Sequence, residues 1–78
     1  MKNLVFPNPS GDLFHLSIPP NNIKSVSLLT INGHEIKTYN HQSIDNNNYS
    51  LSYIKNGIYL IKIDVEEDNY YTYLIVNN

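Results

Sequence analysis

The sequence predicts an all-β domain, a small two-sheet antiparallel β-sandwich of the Ig-like kind with about seven strands. Three observations lead there. Short apolar runs recur at roughly ten-residue spacing with turn residues between them, and none holds a helical period for long. The apolar content is mainly Ile, Leu and Tyr, with neither Ala nor Trp, which favours strands over helices. Asn is frequent and gathers between the apolar runs, where turns need it. The 78 residues are read as one domain, 1–78.

Each element has its own reason. Leu4, Val5 and Phe6 form a short extended piece, stopped by Pro7 and Pro9, which lack an N–H and extend the residue before them. Ser10-Gly11-Asp12 reads as a turn. Residues 13–18 follow, with Phe14, Leu16 and Ile18 on one face and His15 and Ser17 on the other. Pro19-Pro20-Asn21-Asn22 breaks that strand. Residues 23–31 form the next one, where Val26 and Leu28 alternate with Ser25 and Ser27 before Leu29 and Ile31 take over the apolar phase. A bulge near Leu29 would account for the change. Asn32-Gly33 is the strongest hairpin signal, read as a type I′ turn, with a return strand over 34–39 that points Ile36 inward. Residues 40–48 are polar and read as a loop anchored by Ile44. Tyr49, Leu51 and Tyr53 alternate as a short sixth strand. Asn56-Gly57 is a second turn. Residues 58–65 are apolar on both faces, as a central strand would be. Glu66-Glu67-Asp68-Asn69 is an acidic turn, and residues 70–76 close the chain.

Composition narrows the function. Five basic residues, all lysine, face seven carboxylates for a net charge of −2, so the basic face that nucleic acid requires is missing. The absence of cysteine removes disulfides, thiolate catalysis and thiolate zinc sites. No apolar run approaches the roughly 20 residues of a membrane span. Met1-Lys2-Asn3 leads into only three apolar residues, too few for a signal peptide, so an exported parent would carry its signal elsewhere and this chain would be a piece of it.

Chemistry-bearing constellations are sparse. His15, His34 and His41 fall on a strand face, at a hairpin and in a loop, without the three or four converging ligands that zinc requires. Glu66-Glu67-Asp68 lacks the spaced oxygens and glycine of a calcium loop. No serine sits in a Gly-x-Ser-x-Gly elbow. A sandwich this small is also expected to fill its interior, leaving little room for a pocket of a few hundred Å3. The reading is therefore no enzyme, no cofactor, no metal and no small-molecule substrate.

Three runs, taken in order, carry a family resemblance: Phe6-Pro7-Asn8-Pro9-Ser10; Val26, Leu28, Ile31, Gly33 and Ile36; and Ile54, Gly57, Ile58, Tyr59, Ile61, Lys62 and Ile63, followed by the closing Leu74-Ile75-Val76. Together they resemble the C-terminal sorting domain of the type IX secretion system, the Por secretion tail, over about residues 4–76. The resemblance implies a non-catalytic sorting signal on secreted proteins of Bacteroidetes. An N-terminally fused cargo would reach the periplasm, and translocon components would recognise the folded tail. The cargo would then cross the outer membrane to the cell surface or the medium. A sortase-like cysteine protease would remove the tail, with the cargo released or anchored. One departure stands out. The family often places a cation just ahead of its terminal aliphatics, where this chain has Tyr71-Thr72-Tyr73, which implies, if that cation helps recognition, either that Lys62 serves instead or that a variant receptor reads the tail.

The family-motif residues Pro7, Asn8, Pro9, Gly33, Gly57, Tyr59, Lys62, Tyr73, Leu74 and Val76 are the recognition candidates. Each also has a structural reading. Pro7-Asn8-Pro9 is either a rigid strand entry, with Asn8 bonding nearby backbone, or a docking edge. Gly33 and Gly57 are either turn residues or direct contacts. The last strand either fills the core through Leu74 and Val76 or offers an unpaired edge to a receptor. The main alternative function is a carbohydrate-binding or adhesive β-sandwich of a surface protein, with exposed tyrosines stacked on sugar rings. A sorting tail must lie at the extreme C-terminus of its parent, whereas a binding module need not.

Overall fold

A computed structural model describes residues 3–78. Its elements are β1 (Val5–Phe6), β2 (Leu13–Leu16), a 3-10 turn (Pro20–Asn22), β3 (Ile23–Thr30), β4 (Glu35–Tyr39), a short helix α1 (His41–Asn46), β5 (Tyr49–Ser50), β6 (Gly57–Val65) and β7 (Asp68–Val76). They form two antiparallel sheets, one ordered β1-β2-β5 and the other β4-β3-β6-β7. The all-β sandwich read from the sequence is what forms.

The two sheets close on one core. Phe14 and Leu16 from β2 meet Val26 and Leu28 from β3, Ile61 and Ile63 from β6, and Leu74 and Val76 from β7. Each set lies at every second position of its strand, as the pleat requires. An aromatic cluster fills the end beside β5. Phe14 stacks on Tyr49 at 5.0 Å between ring centroids, and Tyr39 meets both rings edge-on. The Tyr39 hydroxyl donates to Ser50 O at 2.8 Å. Among the described residues, the buried Tyr49 hydroxyl has no hydrogen-bond partner. Burial raises the pKa of both phenols; that of Tyr49 is pushed up to about 12, with Asp45 adding to the effect of burial.

Five local expectations need correction. The irregularity near Leu29 lies on the partner strand. Leu28 pairs with Lys37 and Leu29 with Glu35, which leaves Ile36 as the extra residue, while β3 runs in regular register against β6 from Val26 to Thr30. Ile36 is consequently 43% exposed and does not point inward. The hairpin at Asn32-Gly33 is not type I′, because only Gly33 has a positive φ, of 92°. Residues 31–33 form the connection: Gly33 N donates to Thr30 O, and Thr30 N to His34 O. Glycine thus ends a three-residue loop.

Residues 41–46 are helical because Asn residues cap both ends. Asn40 Oδ1 accepts from Ser43 N at 2.9 Å, and Asn47 turns left-handed at φ 55°. Ile44 is buried, as expected of the anchor. The sixth strand stops at Ser50. Leu51 N donates to Asp12 O, Ile54 N to Leu51 O, and Tyr53 sits fully exposed in that turn at φ 67°.

Candidate functional site

The two ends of the chain meet. β7 is an edge strand, paired on one side with β6 from Gly57↔Val76 to Val65↔Asp68. Along the C-terminal half of its other side lies the proline segment. Asn8 Nδ2 donates to Tyr73 O at 3.1 Å, and Ile75 N donates to Asn8 Oδ1 at 3.0 Å. One carboxamide therefore offers a donor and an acceptor to the strand, as a neighbouring peptide group would. The pairing continues through Ser10, whose N–H donates to Ile75 O and whose carbonyl accepts from Asn77 N, both at 2.8 Å. Ser10 bridges Val76 in parallel, and its buried hydroxyl donates to Pro7 O. Both proline peptides, Phe6-Pro7 and Asn8-Pro9, are cis.

The fold uses the same device a second time. Asn47 at the end of α1 accepts from Leu16 N at 2.7 Å and donates to Leu16 O at 3.0 Å, closing the side of β2 that β5 leaves uncovered. The Asn47 carbonyl also meets His15 Nδ1 at 2.6 Å. Asparagine side chains thus satisfy strand backbone that no strand covers, on the edge strand β7 and on the stretch of the central strand β2 that the two-residue β5 does not reach, which limits indiscriminate pairing there.

Beyond the clip, β7 stays open. Backbone groups of alternate residues point to the same side of a strand. Those of Tyr73 and Ile75 face the clip, so those of Tyr71 face the free edge over residues 69–73. The outer sheet face beside this edge is unusually apolar. Ile58, Tyr71 and Tyr73 are 57%, 54% and 63% exposed, with Ile75 beside them. Ile58 pairs with Ile75 and Leu60 with Tyr73 across β6 and β7. The outward face of an antiparallel sheet is commonly polar, so this one is dressed for contact. A shallow cleft of about 470 Å3 continues it, lined by Ser27, Leu29, Leu60, Lys62 and Tyr71 among others.

The candidates distribute unevenly around this corner. Pro7, Asn8 and Pro9 form or flank the clip. Gly57 starts β6 opposite Val76, with the ring of Tyr59 packed over it. Tyr59 donates from its hydroxyl to Lys55 O at 2.6 Å and packs against the core. Leu74 and Val76 are buried, so they can act only by holding β7 in place. Tyr73 is exposed on the outer face. Lys62 lies on that same face, paired with Tyr71 and Ser27. Gly33, in the β3–β4 turn, lines the far part of the 470 Å3 cleft that Lys62 and Tyr71 also line.

His15, His34 and His41 do not converge: among the described residues, no group of three or more His, Cys, Asp or Glu could hold a metal. The expectation of little room is corrected by two surface clefts of about 600 and 470 Å3. Both lie outside the filled core: the larger is built by loops and strand ends, the smaller by the outer face of the four-stranded sheet.

A family model, the secretion system C-terminal sorting domain, matches residues 4–77. The chain belongs to that family. No curated protein matches the sequence closely enough to count as a relative. Members of this sorting-domain family are signals, and the match makes this chain a type IX secretion signal of a secreted protein bound for the cell surface or beyond, acting with the secretion system on a cargo fused at its N-terminus. Asn8 and β7, near opposite ends of the matched residues, are the parts that meet.

Proposed function

We propose that this sorting domain is a non-catalytic, excised tail, folded as a single unit, that carries an N-terminally fused cargo from the periplasm across the outer membrane. Translocon components read its folded rim, and a sortase-like cysteine protease then cuts ahead of the domain, so that the cargo is released or anchored. Recognition centres on the open edge of β7 and the apolar face beside it. An extended segment of the translocon adds to β7 at Tyr71 and lays its side chains over Tyr71 and Tyr73.

One observation carries this reading. The family's N-terminal and C-terminal runs fold into one corner, and Asn8 and Ser10 cover the edge only from Tyr73 onward. The edge left free is short and defined, as a specific docking strand should be and as an aggregation-prone edge is not.

The test is a fusion of the chain to a fluorescent periplasmic reporter in a Bacteroidetes host with the type IX system, scored by fractionation. Export that depends on the translocon is expected. Retention of a folded fusion in the periplasm would contradict the proposal. Deleting residues 73–78 would be a poor probe, since it removes the buried Leu74 and Val76 together with the edge.

A further inference from the structure

At the end of β7 away from the Asn8 clip, the chain forms a cleft of about 600 Å3, within the size range of ligand sites. Leu4 and Ile18 line one part and Val65 and Tyr70 another. Leu4, Ile18 and Val65 are half-buried against the core, and Tyr70 keeps its ring accessible. Glu66 and Glu67, from the turn joining β6 to β7, and Asn21 and Asn22 complete the lining, and among the described residues no lysine is part of it.

We propose that this cleft binds an extended segment of a partner protein in which lysine or arginine alternates with aliphatic residues. The aliphatic lining takes the apolar side chains, the two carboxylates take the cations, and the asparagine amides meet the peptide backbone. The charge chooses among ligands. Phosphate-bearing ligands and acidic peptides would be repelled by Glu66 and Glu67. A saccharide would leave its hydroxyls against Leu4, Ile18 and Val65 without partners. This binding is a property of the domain itself and is independent of export.

The experiment is a titration of the 15N-labelled chain, followed by amide NMR shifts, with the peptide acetyl-Leu-Lys-Ile-Lys-Leu-amide. Glutamate-for-lysine and saccharide (cellotriose) controls run beside it. The lysine peptide is expected to shift the amides of Leu4, Ile18, Val65 and Tyr70. Its affinity should fall about fivefold in the Glu66→Gln/Glu67→Gln double variant, as for two exposed ion pairs. It should also weaken between about 0.05 and 0.5 M salt. The variant pair lies in an exposed turn and should leave the melting temperature unchanged. No shift at these amides up to about 5 mM peptide, a range that covers weak millimolar binding, would overturn the proposal. So would equal binding of the glutamate peptide, or occupation of the cleft by cellotriose alone.

Discussion

Replacing Asn8 by alanine tests whether one carboxamide holds the two ends of the chain together. The side chain makes two hydrogen bonds to β7, at 3.1 Å to Tyr73 O and 3.0 Å from Ile75 N. Each is worth about 0.5–1.5 kcal/mol net. Both lie in exposed surroundings, so the loss should total about 1–2 kcal/mol, at the lower end of that range summed. For a chain of 78 residues, that corresponds to a fall of about 5–15 °C in Tm. Circular dichroism would give the fall, and hydrogen exchange would locate it: the Ile75 amide should lose protection while the Ile61 and Ile63 amides decline only with global stability. Asn8→Asp refines the test. The carboxylate can still accept from Ile75 N but repels Tyr73 O, which raises its pKa in the folded state. Its deficit should therefore be present at neutral pH and shrink as pH falls through about 4, where the protonated acid can donate again. An unchanged Tm with an unchanged Ile75 exchange rate would refute the reasoning.

Other substitutions probe the rest of the fold. Asn47→Gly keeps the left-handed backbone but removes both bonds to Leu16, and should cost about 1–2 kcal/mol by denaturant unfolding, with Asn47→Ala costing about 1 kcal/mol more. Tyr49→Phe removes a buried hydroxyl with no partner among the described residues and should be neutral or stabilising, whereas Tyr39→Phe removes the shorter of two side-chain bonds to Ser50 O, leaving Lys37 Nζ at 3.3 Å, and should destabilise by about 0.5–1 kcal/mol, as thermal melts of the two would show. Burial holds both phenols protonated in the folded state while unfolded tyrosine ionises near 10, so stability should be full below pH 10 and decline from there towards about 12. Melting temperatures across that range should fall less steeply in Tyr49→Phe. Tyr53→Gly places a residue without a Cβ at φ 67° in an exposed turn and should raise stability by about 0.5–1 kcal/mol in the same melts.

Strand existence was legible because period-two alternation and Asn/Gly turns are local signals. Residues 58–65, apolar on both faces, do form an interior strand, and 70–76 do form an edge. Local signals misled where a single residue chose between geometries. The apolar shift at Leu29 and Ile31 pointed to a bulge in β3, but the extra residue went to the partner strand as Ile36. The polar run over 40–48 hid a helix, since its caps, Asn40 and Asn47, resemble turn residues in sequence. The contact between Asn8 and β7 spans more than sixty residues and leaves no periodic trace. Family motifs marked both of its halves without indicating that they touch. The 600 Å3 cleft at the strand ends had no sequence signal, because loop geometry builds it.

Tyr71→Pro is the most direct test of recognition at β7. The Tyr71 N–H faces the free edge, so proline removes no hydrogen bond to β6 but blocks a strand from adding there. Export of the reporter fusion should be lost in this variant while its circular dichroism and melting remain those of a folded domain. A folded Tyr71→Pro fusion exported as efficiently as the parent would contradict recognition through this edge.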